Sequence, residues 1–395
     1  MKTINHSGRA LAHIKVLAEA IGPRPAGSEA EGNARAYVQK QLQQWGYHVQ
    51  KHPVSFAALP LFSPFPTLAG LYLALGGWGI ATVPWLLLGL PFAQKLLIRM
   101  TRWMMWNRPQ KAHSENLVVF PKEAASDTPI LFLCAHLDSA RVFAFRHRFW
   151  IALQTQIWDI YQRVAIAITG MAILHLLGLL IPDLLVWLLG LAGSVVGGGI
   201  ILLECWNQFG HQNRYAPGAN DNASGLGVVL ALAEFFARQP VQNIRLGFLF
   251  TGAEETGLHG ARAFAEYLSK SNTKNVYVLN LDMVGVGDVL KTVVSDGTLP
   301  PTKTSAFLNE LVANANPQVK EVHHVSRSGD HLPFLKQGIA ATTLEMGYAK
   351  GFLWTYHTLN DTLETIDPQA LQVTAETIIQ MIEKMIDTAS SNPVK

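Results

Sequence analysis

Five short segments carry side chains able to bind a cation or move a proton. They are Cys134-Ala135-His136-Leu137-Asp138, Gly218-Ala219-Asn220-Asp221-Asn222, Ala253-Glu254-Glu255-Thr256-Gly257, Asn280-Leu281-Asp282-Met283 and Tyr356-His357-Thr358. Each follows an apolar run or sits in a loop. Singly, each has an ordinary explanation. A histidine after a strand is commonly a hydrogen-bonded surface residue, and a Glu-Glu pair is commonly a helix start favoured by the dipole. Together they mean more. Apolar strands that repeatedly end in His or carboxylate crowd like charges, which is costly unless a cation neutralises them. The two cysteines, Cys134 and Cys205, are too few for a cysteine-rich metal knot or a disulfide framework. Nitrogen and oxygen donors without sulfur suit zinc, with manganese or cobalt as alternatives.

The elements that must position these groups alternate helix and strand. Residues 11–21 have a helical period, and 28–45 form a second helix with Ser28 at its N-cap and Gly46 just past its end. Strands are expected at 47–56, 116–120, 129–134, 244–250, 276–281, 291–295, 319–325 and 340–345. Helices are expected at 224–238, 304–315 and 367–389. This order predicts an α/β fold with a mostly parallel mixed sheet covered on both faces. In such sheets the ligand site lies beyond the carboxyl ends of the strands, where the five segments fall.

Composition adds a membrane expectation. Of 395 residues, 49% are hydrophobic and only 15% charged, against about 25% charged in a typical soluble domain. This excludes disorder and argues against a wholly soluble chain. The formal charge of +3 is too small to suggest nucleic acid. Residues 1–50 show no early apolar segment of the signal-peptide kind. The apolar residues gather in two interior blocks. Residues 53–94 contain no Lys, Arg, Asp or Glu, which is enough for two short crossings or a re-entrant hairpin. Residues 164–182 and 184–203 are likewise uncharged, with Asp183 between them, and read as two crossings joined by a Pro-Asp turn. Lys95, Arg99, Arg102, Arg108 and Lys111 follow the first block, and Arg141, Arg146, Arg148 and Arg163 precede or open the second. The positive-inside tendency then puts the rest of the chain on the cytoplasmic side of a multi-pass cell-membrane protein. Trp103, Trp106, Trp150 and Trp158 suit an interfacial belt. The resulting division is a discontinuous domain of residues 1–56, 112–142 and 209–395, interrupted by apolar hairpins at 57–111 and 143–208.

With the hairpins set aside, the five segments resemble, in order, the zinc-dependent M28 peptidases, the aminopeptidase group with co-catalytic zinc. The resemblance implies a three-layer αβα domain holding two zinc ions. It implies that Asp221 bridges both, that Glu255 and His357 complete one site, and that His136 and Asp282 complete the other. Glu254 would be the general base, acting on a water that the zinc pair makes hydroxide-like. Asp138 would hold the His136 ring through its far nitrogen, and Asp361 would orient His357. The Asp221-Asn222 bond is often cis in this family. Tyr356 is placed as in relatives whose tyrosine hydroxyl stabilises the oxyanion, with Arg327 a second candidate. Other relatives put a tyrosine before Asp330, where this chain has Ser326. Asp330 and His331 either shape the pocket or cap a helix. His259, His323 and His324 read as surface or packing residues.

The leading expectation is therefore a membrane-anchored zinc exopeptidase, most simply an aminopeptidase acting on peptides. Because the second hairpin separates His136 from Asp221, membrane-associated peptides are the expected substrates. A glutaminyl cyclase or carboxypeptidase on the same scaffold is the first alternative, and a non-catalytic receptor the second. A transporter is disfavoured, because apart from His175 the apolar blocks offer almost no strongly polar or charged intramembrane group for a solute path.

Overall fold

The computed structural model describes residues 5–57, 64–80, 84, 111–120, 128–143, 147–210, 214–271, 273–297, 301–324 and 329–391. They divide into two compact units. One comprises Met1–Phe56, Ala112–Val142 and Arg214–Lys395, and the other Ala57–Lys111 and Phe143–Asn213.

The first unit opens with α1 (His6–Lys15), capped by Asn5, which runs into a wider π turn, Val16–Ile21. Helix α2 (Glu29–Gln44) starts where the Ser28 hydroxyl accepts the Glu31 N–H. Strands β1 (Gln50–Ala57), β2 (Lys111–Val119) and β3 (Ile130–His136) follow. The strand order is β1-β2-β4-β3-β5-β9-β6-β7, with β8 paired to β6, once β4 (Arg245–Thr251), β5 (Val276–Leu281), β6 (Val289–Asp296), β7 (Thr302–Lys303), β8 (Lys320–His324) and β9 (Ala340–Gly347) are added. Strands β4, β3, β5 and β9 run parallel, so their carboxyl ends share one edge. Strands β2 and β6 are antiparallel to their inner neighbours.

Alternation along β3 shows why both faces are covered. Leu131, Leu133 and Ala135 join a large core, whereas Ile130, Phe132 and Cys134 join a smaller one on the opposite face. The large core is built with α1, α2 and three further helices, Gly225–Arg238, Ala306–Ala315 and Pro368–Ser391. The smaller core is closed by the helices His259–Lys270 and His331–Lys336.

The second unit contains helices Pro64–Gly79, Arg148–Leu176 and Asp183–Gly210. Glycines let two of them approach closely. A methyl group added at Gly197 would lie 2.2 Å from the Gly70 carbonyl oxygen, and one at Gly193 would lie 2.2 Å from that of Leu73. Tyr72 and Thr169 share a 2.7 Å hydrogen bond, and Trp78 donates to Ser194. Large apolar side chains such as Leu180, Leu184, Val195 and Leu202 face outward.

Of the expected crossings, one is found. Among the described residues one helix is apolar and long enough to cross a membrane, at Asp183–Leu203. The preceding helix stops at Leu176, before Gly178 at φ 77°. Its uncharged part, from Val164, is thus shorter than the about 20 residues a crossing needs. The second half of the first block, its basic flank through Arg108, and Trp103 and Trp106 lie outside the described residues. So do Ser326 and Arg327.

Candidate active site

The parallel register brings the chemistry together. His136 is the last residue of β3 and pairs across with Thr251 at the end of β4, while Asp282 follows the end of β5. His136 is 1% exposed. Its Nε2 lies 3.2 Å from Asp221 Oδ1 and 3.6 Å from Asp282 Oδ1. The other oxygen of Asp221 lies 3.2 Å from His357 Nε2, which is 3.4 Å from Glu255 Oε2. Three overlapping donor groups result: His136 with Asp221 and Asp282, Asp221 with Glu255 and His357, and His136 with Glu254 and Glu255. In each, one donor atom per residue lies within 4.8 Å of the others. Asp221 belongs to two groups and faces each with a different oxygen. Glu255 Oε1 and Asp282 Oδ1 are buried without a hydrogen-bond partner among the described residues. Such orphans are costly unless something supplies positive charge, so the donor set fits a divalent cation.

Electrostatics says the same. Burial first, then neighbouring carboxylates, pushes Glu255 well above the usual range. Burial does the same to Glu254, aided by Asp330, Asp282 and Asp138 against the opposing pull of His136. At His136 burial lowers the pKa, but Glu254, Asp138, Asp221 and Asp282 together raise it well above the ordinary imidazole value. At Asp221 burial acts upward, but His136 and His357 prevail and hold the carboxyl below its usual value.

The loops are fixed from outside the donor set. Asp138 accepts the backbone N–H of Glu254 and of Glu255, both at 3.0 Å. Its Oδ1 is 3.6 Å from His136 Nδ1, whereas its own carbonyl oxygen is 3.1 Å away. The expected link to the ring is therefore mainly a backbone one, and the carboxylate holds the Glu254-Glu255 turn. Asp361 also differs from expectation. Its oxygens accept the N–H groups of Asn220 and Asp221 at 2.6 and 3.0 Å, so it secures the Asp221 loop. Burial, then Asp221, pushes its pKa up to about 7. The Asp221-Asn222 peptide is cis. Gly218, at φ 68°, opens this loop where an added methyl group would meet Asp221 O at 2.6 Å.

Sequence reasoning missed three buried supports. Arg24 is fully buried and donates to the carbonyls of Leu17, Gly22, Leu137, Pro217 and Gly218. Glu31 accepts from Ala253 N–H, Gly27 N–H, the Ser114 hydroxyl and Arg35. Asn116 accepts from Gly252 N–H and donates to Gly260 O. Glu31 has a sequence signal, since it stands three residues after the Ser28 cap. That signal describes a helix start and hides the tie to Ala253. Tyr356 stacks on the His357 ring at 3.9 Å between centroids and lines the same pocket as the donors. Asp330 is buried and bonds the Thr251 hydroxyl, while His331 bonds Thr343. His324 and His323 do have partners, Glu345 and Ser295. His259 contacts the Thr256 carbonyl and stacks on Phe56.

Residues 206–382 match Peptidase family M28. That match spans less than half of the chain. Aminopeptidase YwaD of Bacillus subtilis is 27% identical over 184 residues, covering 44% of this chain and 38% of that protein. A probable zinc metalloprotease of Pyrenophora tritici-repentis is 30% identical over 161 residues, 31% of this chain and 36% of that one. The chain thus spans little more than a third of these curated relatives. Two solved structures share the fold of this chain. One is a zinc aminopeptidase from Bacillus subtilis, with TM-score 0.57 at 16% identity over 98% of this chain and 96% of that one. The other is a Tannerella forsythia glutaminyl cyclase, with TM-score 0.57 at 17% identity over 95% and 97%. M28 is a zinc metallopeptidase family, and the His, Asp and Glu groups of this domain are donors that suit that ion.

Proposed function

We propose that this chain is a membrane-anchored zinc aminopeptidase that hydrolyses N-terminal peptide bonds. The observation that carries the reading is Asp221, which faces His136 and His357 with its two oxygens. His136, Asp221 and Asp282 would hold one zinc ion, and Asp221, Glu255 and His357 a second. When bound, the ions would polarise the scissile carbonyl and lower the pKa of water.

The remaining work falls to the chain's own groups. Glu254 lines the pocket with its backbone fixed by Asp138. It is placed to take a proton from the attacking water and deliver it to the leaving amine. Tyr356, held against His357, is placed to donate its hydroxyl to the developing oxyanion. The outward apolar side chains and the glycine seam of the second unit support insertion in a bilayer. The basic flanks support a cytoplasmic catalytic domain.

The test is to count zinc per purified chain and assay aminoacyl para-nitroanilides beside N-terminal glutaminyl peptides. Two ions and anilide turnover are expected. Cyclisation of the glutaminyl peptide without anilide hydrolysis would replace this reading with a cyclase. Zinc binding with neither activity would leave a receptor.

A further inference from the structure

The five proposed zinc ligands are placed by two different means. His136 ends β3, Glu255 follows β4 and Asp282 follows β5. Strand β3 pairs with both of the others, so sheet register fixes these three. Asp221 and His357 stand away from the strand ends, on loops that Asp361 joins by accepting the N–H groups of Asn220 and Asp221. Each of the two proposed sites mixes the sets. Asp221 joins His136 and Asp282, while Asp221 and His357 join Glu255. The spacing between sheet and loops therefore decides whether either set of three can close on one ion.

The covalent chain does not set that spacing, because between His136 and Asp221 it runs through the second unit, Phe143–Asn213. Hydrogen bonds cross the gap instead. At the end of β5 the Asn222 amide donates to Leu281 O at 2.8 Å. Beyond β3, Ala216 N–H donates to Ala140 O at 2.8 Å. Nearest to His136 the link is Arg24. Its Nε donates to Leu137 O at 3.0 Å. Its terminal nitrogens donate to Pro217 O at 2.8 Å and Gly218 O at 2.9 Å, on the approach to Asp221. Bonds to Leu17 O and Gly22 O, both 2.9 Å, hold the guanidinium from behind. Ser139 doubles the link, since its hydroxyl accepts the Arg24 N–H and donates to Ala216 O, both at 2.9 Å. The fit is close. A methyl group added at Gly218 would lie 2.6 Å from Ser139 Cβ and 2.8 Å from Arg24 Nη2. Five carbonyls around one side chain use the planar fork of a guanidinium, whereas an ammonium has three donors and cannot reach them all. Arg24 is the one buried Lys or Arg among the described residues.

We propose that Arg24 is a positioning residue for the metal centre. Its guanidinium sets the loop carrying Asp221 against the loop carrying His136, so that one cation reaches both. The proposal rests on the zinc reading of these ligands and not on which bond the enzyme cuts.

The test measures zinc affinity of the full-length chain in detergent by competition with a chromophoric chelator, well below each variant's unfolding temperature. Arg24→Lys keeps the charge and loses the fork. It is expected to weaken zinc binding about ten- to a hundredfold while near-UV circular dichroism shows it folded. Should it fail to fold, Ser139→Ala removes the second link without opening the core, and a loss of about tenfold is expected. A role in the fold alone would lower the unfolding midpoint and leave the folded variant's affinity unchanged. Parental zinc affinity in a folded variant therefore overturns the assignment. Turnover of an aminoacyl para-nitroanilide is followed in parallel. A parent chain that binds zinc but hydrolyses no anilide overturns the aminopeptidase reading, and weakened zinc binding in the variant still supports the role of Arg24.

Discussion

Glu254 and Glu255 are neighbours in the chain with different surroundings. Glu255 lies within reach of His357 and shares a donor group with Asp221, while Glu254 is grouped only with His136 and Glu255. Glu254→Gln keeps the shape and removes the proton carrier. It is expected to lower kcat about a hundred- to ten-thousand-fold while zinc content, read by atomic emission, stays unchanged. Asp361 gives a second prediction, in the zinc-free protein. Its pKa is pushed from 3.8 up to about 7 by burial and Asp221. The folded state then binds its proton more tightly than the unfolded state does. Its contribution to stability is present below the unfolded value and lost as pH rises through the folded one. Asp361→Asn removes that titration, so its stability deficit relative to the parent should be larger at about pH 4.5 than at about pH 7.5. Urea unfolding at both values checks the sign, and a deficit that grows with pH would refute the assignment.

Between elements, the decisive feature is how the turn after β4 is held. Four consecutive N–H groups, from Gly252 to Glu255, go to the side chains of Asn116, Glu31 and Asp138. These come from β2, α2 and the loop after β3. Asn116→Ala would leave Gly252 N–H and Gly260 O buried and unpaired, at a cost of about 2 to 4 kcal/mol. Denaturant titration measures this, and kcat should fall with it because the turn carries both glutamates. In Glu31→Gln, either amide orientation sets an NH2 group against donors, so kcat should fall more than KM changes. Wild-type kcat in both variants would show that the turn holds itself. This level was only partly legible in the sequence. Strand β5 was readable to the residue, because Val276–Leu281 is an unbroken apolar run apart from Asn280. The helices His259–Lys270 and His331–Lys336 went unread. The first has its apolar residues Ala261, Phe264, Ala265 and Leu268 at helical spacing, so its pattern was there and was overlooked, and the second is short and contains Pro333. The five motif segments were legible because each sits at a strand end or loop with a distinctive residue type. Their ties to Arg24, Glu31 and Asn116 were not, because those contacts span about a hundred positions or more and follow no local period.

For the whole molecule, the question is what the second unit contributes. Its longer segment leaves the first unit at Val142 and returns at Arg214, where Val142 N–H donates to Arg214 O at 3.1 Å and Arg141 bridges to Tyr215. Chain ends that meet this closely let an insertion be replaced by a short linker without stretching the host. His136 and Asp221 stand outside that pairing, each tied to its own element. Replacing residues 143–213 with a short Gly-Ser linker should therefore keep turnover of a soluble aminoacyl anilide within about threefold, since the linker adds little closure entropy. The apolar surface of Asp183–Leu203 would be gone. If that helix carries the membrane attachment, the variant loses flotation with liposomes, and hydrolysis of a lipid-tethered peptide falls relative to the free peptide. Unchanged selectivity for tethered over free peptide would mean that the inserted helices do not direct the domain to membrane-associated substrates.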